Sequence, residues 1–236
     1  MVEKITKELF SLADKERAKN LAWFFKTGKG DYGEGDNFLG ITVPLQRKVA
    51  KKHFREAGLK DMEGLLDSIF HEVRLTAIIM LVEKYRIADK AGKKEIYDFY
   101  LSHTDGINNW DLVDLSAHKI VGDWLMDKNR KPLYRLARSK SLWERRISII
   151  STFAFVAQND LDDSYKLAEI LLKDKHDLMH KAVGWVLREC GKKDKERLVE
   201  FIKNNGSRMP RTALRYAIEK FPERERKQIL KEIVKE

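Results

Sequence analysis

The chain has 236 residues, and its 47 Lys and Arg against 37 Asp and Glu give a formal net charge of +10, so an anionic partner, above all nucleic acid, is expected. A hydrophobic fraction of 43% excludes a disordered chain, and four prolines with few alternating β-branched runs argue against a sheet protein. The single cysteine excludes an intrachain disulfide and a four-cysteine zinc site, and no apolar run approaches the roughly 18 residues of a membrane span.

The chain begins with an amphipathic charged helix rather than a signal peptide, and a helical period continues almost throughout. Helices with a basic or aromatic residue opposite their apolar stripe begin about 35 residues apart, near Glu72, Asn108, Leu142, Leu178 and Pro210. This spacing predicts an all-α fold, a right-handed α-α superhelix (solenoid) of two-helix repeats. Because no low-complexity linker divides the chain, residues 1–236 are predicted to form a single domain. An irregular helical bundle is the alternative.

Residues 27–42 depart from the helical period and contain five of the thirteen glycines, which predicts a loop before a helix that opens at Pro44. The segment Gly28 to Gly33 matches the dinucleotide pattern G-x-G-x-x-G. No strand precedes it, however, and Glu34 and Asp36 would stand where phosphates need positive surroundings. Nucleotide binding at this loop is therefore not expected.

The segment NNWDLVDLSAHKIVGDWL, residues 108–125, predicts an apolar helix with a narrow polar strip. Trp110 and Asp114 are four residues apart and thus neighbours on one helical face, with Asp111 and His118 alongside. A carboxylate at such an edge is costly unless a cation or hydrogen-bond donors compensate it. Asp114 therefore either belongs to a structural network or meets a positively charged ligand.

A capping box, Ser141 to Glu144, opens the next helix. Arg146 borders the apolar stripe of that helix, so its stem can lie on apolar surface while its guanidinium reaches out to a phosphate. An ordinary surface arginine is the alternative interpretation.

The segment DLMHKAVGWVLREC, residues 177–190, has an apolar stripe that includes Cys190, which is expected to be a buried, inert thiol. Lys181, Trp185 and Arg188 cluster on the opposite side. An indole that points away from the core between two cations indicates stacking on a base or sugar while the cations hold phosphates. The alternative is that Trp185 packs against an adjacent repeat.

A helix stop at residues 204–206 precedes a new start near Pro210, after which Arg211 and Arg215 stand one turn apart. Residues 203–236 carry ten basic and five acidic side chains, which indicates a strip that tracks phosphates. His176 and His180 have the spacing of a helical metal pair but lack a third ligand, so neither a metal nor a cofactor is predicted.

Four segments in their order along the chain carry a family resemblance: FLGITVP at 38–44, NNWDLVD at 108–114, LWERR at 142–146 and KAVGWVLREC at 181–190. On these residues the chain resembles the AlkD-type DNA alkylation-repair glycosylases, whose fold is a superhelix of HEAT-like repeats. The resemblance implies that Trp110, Trp185 and Asp114 surround the lesion, that Arg146 supports the DNA backbone, and that Phe24 is the nearest match to an aromatic residue of the site. Residues 28–35 are a glycine-rich insert relative to the shorter form of the family.

The activity that the resemblance implies is hydrolysis of the N-glycosidic bond of cationic alkylpurines, such as 3-methyladenine and 7-methylguanine, in double-stranded DNA. The predicted enzyme is monofunctional and monomeric, resides in the cytoplasm, associates with the nucleoid when it is bound to DNA, and contacts DNA through Arg146, Lys181, Arg188, Arg211, Arg215 and Phe24. A DNA-binding helical-repeat protein without catalysis is the first alternative, and a helical protein-interaction scaffold is the second.

Overall fold

The computed structural model describes residues 1–234, and within that range every regular element is helical apart from one isolated bridge between Asn37 and Phe70. The chain divides into two compact units, the first covering residues 1–116 and the second beginning at Ala117. The prediction of a single domain stays a prediction. No helix in the described range is long and apolar enough to cross a membrane.

The first unit is built from seven helices, the last of which ends one residue into the second unit. They are α1 (Val2–Ser11), α2 (Lys15–Phe24), α3 (Val43–His53), α4 (Leu59–Leu66), α5 (His71–Ile87), α6 (Lys90–Ser102) and α7 (Trp110–Ala117).

Helix α5 forms the centre of the first unit, and α1, α3, α4 and α6 pack around it. Every residue from His71 to Leu81 is buried, because apolar side chains lie on all sides of this helix rather than on one stripe. The helix predicted to begin near Glu72 is confirmed as α5, which begins at His71.

The predicted glycine-rich loop is confirmed between α2 and α3, and its last part is held by α5. The Glu72 carboxylate accepts hydrogen bonds from the backbone N–H groups of Leu39 at 2.9 Å, Gly40 at 2.7 Å and Ile41 at 3.2 Å. Gly40 has φ +81°, and a Cβ there would lie 2.1 Å from the carbonyl oxygen of Asp14. Only glycine therefore allows the loop to lie this close to the start of α2.

The second unit begins with a π-helical turn, His118–Gly122, and continues with eight helices. They are α8 (Lys131–Leu136), α9 (Leu142–Ile150), α10 (Phe153–Ala157), α11 (Asp162–Leu171), α12 (Asp177–Lys193), α13 (Lys195–Asn205), α14 (Arg211–Ala217) and α15 (Glu223–Val234).

Helix α12 is the centre of the second unit, with α9, α10, α11, α13 and α14 packed on it. Helix α14 packs most closely on α12, and it can do so because residue 184 is a glycine. A Cβ at Gly184 would lie 2.5 Å from the carbonyl oxygen of Ala213. Cys190 lies on the buried stripe of α12, and burial raises the pKa of its thiol to about 12. The prediction of a buried thiol is thus confirmed, and the raised pKa supports the prediction that it is inert.

The predicted helix boundaries are also confirmed in this unit. The Ser141 hydroxyl accepts a hydrogen bond from the Glu144 N–H at 3.4 Å and caps α9. Helix α13 ends at Asn205, and α14 begins directly after Pro210.

Candidate functional site

An aromatic cluster surrounds Trp110, the first residue of α7. Phe25 stacks on the indole with ring centroids 5.2 Å apart and an interplanar angle of 15°. Phe24 meets the same indole edge to face at 6.1 Å and is 56% exposed, so the cluster has a side open to solvent. The structure thus brings together Trp110 and Phe24, two of the residues that the sequence singled out.

A buried ionic network lies behind this cluster and centres on His71, which is 2% exposed. Its Nδ1 lies 3.2 Å from Asp36 Oδ2, and its Nε2 lies 2.8 Å from Asp111 Oδ2. Asp36 also accepts hydrogen bonds from Arg74 Nη2 at 2.6 Å and from Asn109 Nδ2 at 3.1 Å. The network therefore ties the glycine-rich loop, the start of α5 and the start of α7 together.

The two carboxylates keep His71 charged at neutral pH. Burial alone would lower the pKa of His71, but the charge of Asp111 and the hydrogen bonds to both carboxylates outweigh it and raise that pKa to about 9. For Asp36 burial likewise opposes ionisation, yet the contacts with His71 and Arg74 hold its pKa below the usual range. The imidazolium ring is itself stacked on Phe38 at 4.7 Å and tilted against Phe25 at 4.8 Å.

Asp114 follows Trp110 by one helical turn on α7 and is half-buried. Burial raises the pKa of the neighbouring Tyr100, and the negative charge of Asp114 raises it further. The hydroxyl of Tyr100 lies 2.8 Å from Ser116 Oγ, within hydrogen-bond distance. A carboxylate and an indole therefore share the face of α7 that the sequence predicted.

The second unit contains another aromatic contact, in which Trp185 packs on Phe153 of α10 with ring centroids 4.7 Å apart. Phe153 in turn meets the His118 ring at 6.4 Å. Trp185 is half-buried because Phe153 covers part of its indole, and stacking of this ring on a base or sugar stays a prediction. The alternative interpretation, packing against a neighbouring helix, describes the contact, because a ring of this size gains free energy when it covers Phe153.

Arg146 differs from its predicted arrangement. Only 5% of the residue is exposed, and Nη1 donates a hydrogen bond to the carbonyl oxygen of Leu178 at 2.7 Å. The prediction that its guanidinium reaches outward is wrong, because neighbouring helices cover the edge of the stripe on which it lies. Its role in DNA binding stays a prediction.

The cations that flank Trp185 have acidic neighbours. Lys181 Nζ lies 2.7 Å from Asp177, and Arg188 pairs with Glu219 and Glu189. Exposed counter-charges of this kind compete with phosphate, which the sequence pattern alone did not reveal.

Arg211 and Arg215 are exposed one turn apart on α14, as predicted. Within the predicted C-terminal basic strip, Lys235 and Glu236 lie outside the described residues.

The two histidines with metal-pair spacing have structural roles. His176 caps α12 by accepting the Leu178 N–H at 3.2 Å, and His180 Nε2 lies 2.6 Å from the carbonyl oxygen of Asp174. Among residues 1–234, no group of three or more His, Cys, Asp or Glu residues could hold a metal ion.

Sequence reasoning missed His71, Phe25 and the loop contacts of Asp36. One signal was available: a histidine that opens a long buried helix needs polar partners, and the acids of the preceding loop could supply them.

Comparisons with known proteins give consistent findings. A family model described as DNA alkylation repair enzyme matches residues 5–221. A predicted DNA alkylation repair enzyme from Enterococcus faecalis has a similar structure, with a TM-score of 0.70 and 17% sequence identity over 89% of this chain and 97% of that one. No curated protein matches the sequence. At this identity the structural likeness shows the fold alone, and the predicted all-α fold of helical repeats is confirmed.

Proposed function

The chain belongs to the family of DNA alkylation repair enzymes, and from this premise we propose that it is a monofunctional DNA N-glycosylase that releases cationic alkylpurines, such as 3-methyladenine and 7-methylguanine, from double-stranded DNA. The observation that carries the proposal is that Asp114 and Trp110 lie one turn apart on the same face of α7. Trp110 belongs to an aromatic cluster whose member Phe24 is exposed to solvent.

The reaction needs little help with its leaving group. In a cationic alkylpurine the C1′–N bond breaks with its electron pair moving onto the purine, which leaves as a neutral base. A water oxygen forms the new bond to C1′ and loses a proton. The enzyme must therefore stabilise a sugar that becomes positively charged in the transition state, and a carboxylate does this through electrostatics.

Asp114 takes this role in the proposed mechanism. Its carboxylate stabilises the oxocarbenium-like sugar and orients the attacking water, whose proton it can accept. Trp110 and Phe24 offer aromatic faces to the cationic nucleotide, and each such contact is worth about 0.5 to 2 kcal/mol. A neutral base lacks the cation–π contribution and is a poorer leaving group, so selectivity for charged lesions follows.

The predicted DNA-binding cations differ in the support they receive. Arg211 and Arg215 are exposed and are proposed as phosphate contacts, as is Lys181, which exchanges Asp177 for phosphate. Arg146 donates to the carbonyl oxygen of Leu178, so we propose that it positions the start of α12. Arg188 pairs with Glu219, so we propose that it positions the more exposed side of the same helix. Trp185 is proposed as an aromatic contact to DNA from the second unit.

A base-release assay tests the proposed function. The wild-type chain is incubated with methylated duplex DNA and with duplexes that contain uracil or hypoxanthine, and free bases are separated by chromatography. We expect release of 3-methyladenine and 7-methylguanine with abasic sites left behind, and no release of the neutral bases. Duplex binding without any base release would overturn the enzymatic proposal in favour of the non-catalytic DNA-binding alternative.

A further inference from the structure

Helix α3 has an unusual charge composition. Among the helices of residues 1–116, all of which the structure describes, α3 alone contains no acidic residue. It carries Arg47, Lys48, Lys51 and Lys52, and all four are exposed.

The cations of α3 lie on one side of the helix. Arg47 and Lys51 are one turn apart, and Lys48 lies within an arc of about 100° from them. The opposite side is buried against α5 and α1 and contains Val49 and Ala50. Burial of that side fixes the orientation of the helix, so the cations face solvent together.

Few carboxylates neutralise this surface. Glu8 of α1 pairs with Lys52 at 2.9 Å and with His53 at 2.7 Å, and its pKa is lowered by both contacts. Among the described residues, no acidic oxygen lies within 4.0 Å of the charged nitrogens of Arg47, Lys48 or Lys51. Like charges one turn apart on a helix repel each other, and a bound anion would relieve this repulsion.

Resting on the proposed function, we infer that Arg47, Lys48 and Lys51 form a contact surface for the phosphate backbone of duplex DNA. Cations one helical turn apart are separated by about 5.4 Å along the helix axis. Such a series, without acidic partners, suits an anion whose charges repeat along its length. Phe38, which stacks on Phe25 in the aromatic cluster, precedes the start of α3 by five residues, a span of at most about 18 Å. One turn of duplex, about 34 Å long, is enough to cover that distance.

The test compares the wild-type chain with Arg47→Ala/Lys51→Ala and with the control Lys60→Ala/Lys90→Ala, which removes two exposed lysines from other helices of the same unit. Binding to an undamaged duplex is measured as a function of salt. The logarithm of the affinity falls linearly with the logarithm of the salt concentration, and loss of two phosphate contacts makes this slope shallower by about 1.8. Between roughly 50 and 200 mM salt, the wild-type affinity should therefore fall about twelvefold more than that of the variant. The control should retain the wild-type slope.

Two further measurements separate the possible outcomes. An unchanged slope in Arg47→Ala/Lys51→Ala, with base release intact, would overturn the α3 surface and leave the proposed function standing. A lowered slope in a chain that releases no base would support the surface and reject the enzyme. In a third outcome, the wild-type chain binds phosphatidylserine vesicles, and Arg47→Ala/Lys51→Ala loses this binding but still binds duplex DNA as wild type does. That result would overturn the DNA assignment and identify an anionic membrane as the partner.

Discussion

His71 shows how one buried charge is stabilised. An unpaired ion in this position would cost several kcal/mol, whereas Asp36 and Asp111 provide two carboxylates within 3.2 Å. The imidazolium joins these acids and packs at a tilt against Phe25, which itself stacks on Trp110. We therefore regard His71 as a positioning residue for the indole rather than as a group that touches DNA.

This network predicts a pH dependence of stability. The pKa of His71 is raised from 6.5 to about 9 on folding, so its stabilisation is fully present below pH 6.5 and is lost as the pH rises through 9. A shift of this size corresponds to about 3 kcal/mol. Urea denaturation of wild type should show this loss between these pH values. His71→Gln should be less stable than wild type at neutral pH, and its free energy of unfolding should not fall in this way as the pH rises.

The control for this prediction is His103→Gln, because His103 lies at the surface of the same unit with 24% of its side chain exposed. We expect it to retain the pH dependence of wild type. If His71→Gln instead lost stability with pH as steeply as wild type, the paired imidazolium would not be the cause.

At the scale of elements, Glu72 connects α5 to the loop that precedes α3. It is buried, and it accepts three backbone hydrogen bonds from consecutive residues, 39–41. A carboxylate provides acceptors only, whereas an amide brings an N–H₂ group against these donors. Residues 39–41 of the loop are therefore anchored to α5 through this one carboxylate.

Glu72→Gln should lower the free energy of unfolding by about 2 kcal/mol, because hydrogen bonds to a charged acceptor are weakened and one donor is left opposed to another. Hydrogen exchange should reveal faster exchange at Leu39, Gly40 and Ile41 than in wild type. Glu83→Gln, on the same helix, removes only a surface pair with Arg86 and should change stability by at most about 1 kcal/mol. Equal effects of the two substitutions would argue against the loop anchor.

Helices were predictable from the sequence because their period and caps are local. The start of α9 at its capping serine and the buried stripe of α12 follow from spacing alone. The contact between Asp36 and His71 spans 35 residues and depends on the path of a glycine-rich loop, which no period encodes. The burial of Arg146 was missed because a residue at the edge of a stripe is covered or exposed according to its neighbouring helices.

At the scale of the whole molecule, the net charge of +10 is distributed unevenly. Many cations of the second unit have acidic partners, for example Arg130 with Asp163 and Arg197 with Asp162. Among the described residues, no such pair is formed by Arg47, Lys48 and Lys51 of α3 or by the exposed arginines of α14. Composition indicates an anionic partner, and the family of DNA alkylation repair enzymes agrees with this, but only the structure distinguishes neutralised from available charge. The monomeric state stays a prediction.

The most direct test of the account is single-turnover release of 7-methylguanine from methylated duplex DNA by Asp114→Asn, measured beside wild type and the control Asp105→Asn, which changes an exposed carboxylate of the same unit. We expect Asp114→Asn to bind duplex DNA as wild type does and to release the base at least about tenfold more slowly, equivalent to roughly 1.4 kcal/mol of transition-state stabilisation. Asp105→Asn should match wild type. Release by Asp114→Asn at the wild-type rate would contradict the central claim that this carboxylate stabilises the sugar in the transition state.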